Sequence, residues 1–428
     1  MEATPATCCS RLLGGEGSVA ASGRRRALSL STACRKFRET ADARPRARRA
    51  GSAVVLAASS SPSFDLSPPP IDYDGDDLQF GPSPSGAEDL PDTAIGSFAD
   101  DNTALNAAYD GVAVIDLTHF GRIRVSGEDR VQFLHNQSTA NFQSLSEGQG
   151  CDTVLVTPTA RTIDIPHAWV MKNAIMLLVS PQPAKLSLIC SPGPFVHILS
   201  DKVEINDITG KTCFFALMGP KSFQVMEALK LHDIIGKPYG THHHYRVNDM
   251  PVTVGVGSLL SKEGFSLLMS PESAEPIWRT LLRHGAVPMG NSAWERLRIL
   301  KGRPAPGKEL TNDYNILEAG LWMTISLDKG CYKGQETVSR LITYDGVKQS
   351  LRGSAWRGQL SPAAPLLWTA KRSVGVLTSY AMGRDAGEHV GLGYIKRKAA
   401  ASAGLQVTVG DVQGTVVDAP FLCYSLQT

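Results

Sequence analysis

Strand-like and helix-like segments follow one another between Ile115 and Gly353 without the strict β–α–β alternation that a parallel doubly wound sheet requires. The pattern predicts an α+β fold. Ile115 to Val125 reads as strand around His119-Phe120-Gly121, and Ser126 is placed to cap a helix carrying Val131 and Leu134, with Glu128 and Asp129 in its first turn. Thr153 to Thr157 is a short β-branched run. Ala168 to Val179 alternates and turns at Lys172-Asn173, which predicts a hairpin. Cys213 to Met218 reads as a strand, and Gly219-Pro220 opens a helix with Phe223, Met226 and Leu229 at helical spacing. Val252 to Val256 and Phe265 to Met269 read as strands. Pro276 opens a helix with Trp278, Leu281 and Leu282 on one face, and Trp294 to Leu300 continues helical. After Gly353 short strands (Ser373 to Thr378, Gly391 to Ile395, Leu405 to Val409, Gly414 to Val417) alternate with Gly-rich turns. That texture predicts a small all-β module of roughly 75 residues, a barrel.

The head of the chain is of another kind. Residues 1–58 hold eleven Lys or Arg against four Asp or Glu and are rich in Ala and Ser. An acid-poor, Arg- and Ser-rich head reads as an organellar transit peptide, and Val54-Val55-Leu56-Ala57-Ala58 resembles a plastid processing site. The expected compartment is the chloroplast stroma, with the mitochondrion as the alternative. A basic RNA-binding arm is disfavoured by the near absence of aromatics. From Ser59 to Pro70, nine of twelve residues are Ser or Pro, and an acidic stretch follows. Such a segment buries too little apolar surface to offset its ordering entropy. Residues 59–104 are therefore expected to be a linker. Residues 105–345 form the α+β region and 346–428 the barrel.

The net charge of +2 belongs to the head: beyond residue 58 there are 32 basic and 37 acidic side chains, a net charge of −5. Nothing in this balance points to nucleic acid. Apolar runs such as Ala174 to Val179 fall far short of the ~20 residues that span a bilayer, so no membrane span is expected. Five cysteines lie beyond the head, none in a C-x-x-C pair, which excludes the common zinc and redox motifs and fits a reducing compartment. Cys151, Cys190, Cys213 and Cys423 sit in apolar surroundings and read as buried.

Cys331 differs. It lies in Lys329-Gly330-Cys331-Tyr332-Lys333-Gly334-Gln335-Glu336, between two glycines and just before a helix in which Val338, Leu341 and Ile342 recur at helical spacing. A helix N-terminus and two lysines nearby favour thiolate over thiol. An inert loop cysteine is the alternative.

The same segment resembles the signature of the YgfZ/GcvT-like family. These are relatives of the glycine-cleavage T-protein that bind folate and assist iron–sulfur cluster assembly and repair. Other stretches agree in order: Asp116 to Gly121, Ala216 to Lys221, Arg298 to Pro304, Asn315 to Leu321, and Gly375 to Ser379. The resemblance covers about residues 105–428. It implies the aminomethyltransferase (T-protein) fold, two α+β segments around a central folate site closed by a C-terminal barrel, and tetrahydrofolate as cofactor. It places the pterin against Glu318 and Asp164 near the reactive nitrogens. Cys331 would act at the cavity mouth, as a nucleophile or as a transient ligand to iron or sulfur, and Asp164 and Cys331 are the candidate catalytic residues. Arg298, Lys329, Gly330, Tyr332, Gly334, Gln335 and Glu336 complete the expected folate and loop contacts.

Two departures argue against aminomethyl transfer. Where T-proteins carry Asp-Asp, the chain has Asp164-Ile165, and Lys262 stands where a pterin-contacting glutamate is usual, with Glu263 beside it. A lysine cannot accept hydrogen bonds from pterin amino groups. The reading is a plastid folate-binding protein that supports iron–sulfur cluster assembly or repair, a monomer with iron–sulfur proteins or cluster-assembly factors as clients. A folate-dependent C1 transferase and a scaffold that has lost folate are the alternatives. Smaller signals carry less: His242-His243-His244 would alternate faces on a strand, Gly255-Val256-Gly257 lacks the third glycine of a dinucleotide loop, and Trp294 reads as core. No metal site is expected.

Overall fold

The computed structural model describes residues 100–181, 202–360, 366–369, 372–400 and 404–419. The expected transit peptide, nearly all of the expected linker, Cys190 and Cys423 lie outside them.

The elements run in chain order as α1 (Asp101–Asp110), β1 (Ala113–Asp116), β2 (Gly121–Ser126), α2 (Arg130–Gln137), β3 (Gly150–Asp152), β4 (Leu155–Val156), β5 (Thr162–Asp164), β6 (His167–Val170), β7 (Ala174–Val179) and β8 (Glu204–Asp207). Then come β9 (Cys213–Met218), α3 (Ser222–Ala228), β10 (His242–Val247), β11 (Met250–Val256), β12 (Phe265–Met269), α4 (Pro271–Arg283), β13 (Val287–Met289), α5 (Asn291–Lys301) and α6 (Gln335–Thr343). The barrel is built from β14 (Gln349–Arg357), β15 (Leu366–Thr369), β16 (Arg372–Met382), β17 (Glu388–Lys396), β18 (Gln406–Val409) and β19 (Val412–Val417).

Two large sheets share the α+β part, and β4 and β5 pair as a separate two-stranded sheet. One has the order β10-β11-β12-β9-β1-β13 and the other β3-β6-β7-β2-β8. The first is antiparallel except for the β1–β13 pair, as the irregular alternation of elements predicts. The strand expected from Ile115 to Val125 is broken at Leu117–Phe120, so that β1 and β2 enter different sheets. The hairpin of β6 and β7 forms with the expected turn. Ser126 does not cap α2: Gly127 takes φ +104° and the helix starts at Arg130, after Asp129. Helix α4 starts at Pro271 rather than Pro276. A proline at the first helical position loses no hydrogen bond, and Pro276 is carried inside. Trp169, Leu178, Phe214 and Met176 meet Ala293 and Leu297 in a core joining both sheets to α5.

The last six strands close in the order β14-β17-β16-β15-β18-β19, with β19 returning to β14. Trp356, Leu367, Val374, Ile395 and Val407 fill the interior. The sequence pattern located four of these strands. It missed β14, whose residues read as mixed polar, and β15.

Candidate functional site

The Cys331 loop is held by its neighbours. Lys329 is buried, and its Nζ donates to the carbonyls of His135, Ser138 and Ala140, the last two at 2.7 Å, where α2 ends. An ammonium carries three hydrogens, and three acceptors match it. Burial pushes its pKa down, to about 7, against those acceptors. The same Nζ lies 4.8 Å from the centre of the buried Tyr332 ring. Lys333 N donates to Asn136 O at 2.9 Å, and Ser326 N to Thr139 O at 3.0 Å. Gln335 receives a bond from Tyr332 N through Oε1 and returns one from its own N–H to Tyr332 O. Gly334 caps α6 with φ +82°, and a Cβ there would meet Thr157 O at 2.9 Å. Glu336 falls in the first turn of α6, as expected. Cys331 itself is exposed.

A cleft of about 310 Å³ lies elsewhere in the same unit. Its wall includes His119, Phe120, Ser180, Leu259, Trp294, Glu295, Arg298 and Arg303. Phe120 meets Trp294 edge-on at 6.3 Å. Trp294 is thus core, as expected, and cleft wall as well. Of the predicted residues, Arg298 lines this cleft; the Cys331 loop does not. Arg298 is fully engaged: it donates to both oxygens of Glu295 at 2.8 Å, to Arg303 O at 2.6 Å, to Glu309 at 3.0 Å and to Ser379 at 2.9 Å.

Asp164 sits behind the cleft wall. Its carboxylate accepts from Ile165 N and Ser180 N, both at 2.8 Å, and from Ser180 Oγ at 2.7 Å. Burial nevertheless raises its pKa. Glu318 turns its carboxylate onto Asn315 N at 3.2 Å, while Asn315 Oδ1 accepts from Leu317 N and Glu318 N at 3.0 Å. This reciprocal cap fixes the Asn315–Leu321 turn. Lys262 is exposed and outside the cleft wall.

Sequence reasoning missed several residues. Arg303 donates to Leu259 O at 2.6 Å and Ile165 O at 2.9 Å, bracing the cleft floor. Asp152 and His167 face each other across the β3–β6 pair, with Nδ1 to Oδ1 at 2.8 Å, and Tyr239 OH donates to Asp152 at 2.9 Å. Burial opposes the Asp152 charge, and the bonds from His167 and Tyr239 outweigh it, holding its pKa below the ordinary value. Tyr239 also explains Gly257, since a Cβ there would meet the ring at 2.3 Å; a Cβ on Gly255 would meet Trp169 at 2.5 Å. These glycines serve close packing. Within the histidine run, His242 is buried and stacks on Trp169 at 5.3 Å, while His243 and His244 are exposed. Among the described residues no three His, Cys, Asp or Glu side chains converge as a metal site.

Comparison with known proteins places this architecture. The family profile described as GCVT N-terminal domain matches residues 96–329. The chain is 56% identical to the Arabidopsis thaliana protein named "putative transferase, chloroplastic", over 93% of this chain and 89% of that one. It is 24% identical to the aminomethyltransferase of Rippkaea orientalis, over 74% of this chain and 87% of that one. The crystal structure of the glycine cleavage system aminomethyltransferase T from Bartonella henselae superposes with a TM-score of 0.67 at 17% identity, covering 76% of this chain and 91% of that one. The chain belongs to the GcvT family and has its aminomethyltransferase-like fold.

Proposed function

We propose that the chain is a plastid folate-binding protein of the YgfZ type that supports iron–sulfur cluster assembly or repair through a reactive thiol at Cys331. The observation that carries this reading is the loop: Lys329, Tyr332 and Lys333 are buried, and the cysteine between them is exposed. A structural cysteine packs against the core, as Cys151 does, half-buried rather than fully buried as expected, and burial pushes its thiol up to about 12. The Arg- and Ser-rich head and the name of the Arabidopsis relative support the plastid.

The cleft's residues fit a reduced pterin. Phe120 and Trp294 would border the flat ring, and Glu295 can accept from its amino groups. Arg303 adds positive charge toward an acidic tail, while Arg298 is held by Glu295 and Glu309. Tetrahydrofolate, when bound, supplies nitrogens that carry one-carbon groups. Anaerobic calorimetry of the full chain with tetrahydrofolate should show saturable binding in the micromolar range. Its absence would leave the cleft without its assigned ligand. Replacing Cys331 by Ser should leave the melting temperature unchanged and abolish restoration of an iron–sulfur enzyme in a plastid extract depleted of the wild-type protein. Full restoration would refute the thiol's role.

A one-carbon transferase is the second reading. It is favoured by Asp164, a carboxyl whose pKa burial raises and which is bonded to the cleft-lining Ser180. Methylene-tetrahydrofolate formed from an aminomethyl donor would establish it.

A further inference from the structure

His135 lies in the last turn of α2 and is 2% exposed. Its Nδ1 is enclosed and has no hydrogen-bond partner among the described residues. The other end of the ring faces the cysteine loop: a Cβ built on Gly330 would have His135 Nε2 as its nearest neighbour, at 3.8 Å. Gly330 directly precedes Cys331. Beyond Gly330 and its two chain neighbours, no other atom comes within 4 Å of that point.

The tautomer follows from the burial. A neutral imidazole carries one N–H and one lone pair. An enclosed N–H without an acceptor is rarer in proteins than an enclosed lone pair without a donor. The hydrogen is therefore assigned to Nε2, on the side of the loop. Burial and the neighbouring Lys329 both lower the pKa of His135, which favours the neutral ring. A neutral Nε2–H beside a loop that presents a thiol can serve as a donor for a sulfur anion.

We infer that His135 is a positioning residue for Cys331: its Nε2–H donates to the thiolate and fixes where the sulfur sits. This rests on the reading of Cys331 as the reactive thiol. Other groups act on the same loop. Lys329 and Lys333 lie within it, Asp328 precedes it, Glu336 opens α6, and Cys151 of β3 interacts electrostatically with Lys329. The turn between β4 and β5 brings Thr157 and Ala160 against Gly334. Lys329 is committed to three carbonyls at the end of α2, whereas the Nε2 end of His135 points at the loop.

The test is site-resolved alkylation. The full chain is treated with iodoacetamide across pH 5–10, and the peptide containing Cys331 is quantified by mass spectrometry. In His135→Leu the midpoint of the pH–rate profile should rise by about one unit, and alkylation at pH 7 should slow about fivefold. His135→Gln places an amide nitrogen near the Nε2 position and should keep the profile close to wild type. His135→Asn places its amide near Nδ1 and should behave as Leu does. A purely structural role predicts the reverse tolerance, because leucine suits an apolar enclosure better than glutamine. Identical profiles in wild type and His135→Leu would overturn the inference. If His135→Leu does not fold, the Gln and Asn pair decides it: equal profiles in those two would overturn it. Alkylation does not depend on cluster maintenance. A Cys331→Ser protein with full activity therefore sinks the proposed function while the profile still reports on His135.

Discussion

Arg298 and Glu309 form an ion pair at 3.0 Å between side chains that are 6% and 0% exposed. The pair ties α5 to the segment that follows it, and both members bond Ser379 of the barrel. Glu309 accepts from Ala305 N at 3.0 Å with one oxygen, and from Thr378 at 2.7 Å and Ser379 at 2.5 Å with the other. Its carbonyl takes the hydroxyl of Tyr394 at 2.9 Å, and Tyr394 stacks on Tyr314 at 3.5 Å. A buried pair is costly to assemble but costlier to halve, since removing one member strands the other charge. Glu309→Gln should lower stability by about 3 kcal/mol in denaturant unfolding. A loss within 0.5 kcal/mol would show that Arg298 finds enough in Glu295.

The two glycines beside Cys331 are not equivalent. Gly334 has φ +82° and stands 3.0 Å or less, at its virtual Cβ, from Thr157 O and Val156. Gly334→Ala should therefore cost about 2 kcal/mol and move the loop. A Cβ on Gly330 would meet only His135, at 3.8 Å, beyond its chain neighbours. Gly330→Ala should leave the melting temperature within a degree or two of wild type. Thermal unfolding of the two variants side by side checks the contrast.

Lys329 closes the end of α2. Replacing it by Met leaves the carbonyls of His135, Ser138 and Ala140 without their donor while the methylene stem stays packed. One unmatched buried acceptor costs about 1–3 kcal/mol, which sets the least loss to expect. Lys329→Met should lower stability by at least that amount and expose the segment around Leu327 to limited proteolysis. Unchanged cleavage there would mean that the backbone bonds of Lys333 and Ser326 suffice to hold the loop.

Local patterns were the legible part of this chain. Strand β9 and the β6–β7 hairpin announce themselves because each strand is a largely apolar run buried along nearly its whole length. The Cys331 motif stands out because glycines and lysines crowd a short loop. What could not be read is what only folding assembles. Asp152 and His167 are fifteen residues apart and meet through strand register. The Lys329 cap needs the end of α2, almost two hundred residues earlier. Arg298 was visible as a motif residue, but its partner Glu309 carries no local signal. Gly255 and Gly257 looked like half of a phosphate loop, and only the positions of Trp169 and Tyr239 reveal them as clearance for rings.

His242 makes stability depend on pH in a defined window. It is buried, stacks on Trp169 with the ring planes 19° apart, and burial depresses its pKa from 6.5 to about 4. Between those values the unfolded chain binds a proton that the folded chain refuses, so unfolding free energy rises with pH there. The stabilisation is full above pH 6.5 and is lost as pH falls toward 4. The span corresponds to roughly 3 kcal/mol at most. Asp164, whose pKa burial raises, works in the opposite sense, adding stability at low pH that fades as pH climbs toward its own folded value. It does so from 3.8 upward and so blunts the slope at the acid end of the window. His242→Gln removes the histidine's contribution and should flatten the curve between pH 4.5 and 6.5, which denaturant titrations at several pH values will measure. An unchanged slope in that variant would mean that another group supplies the dependence.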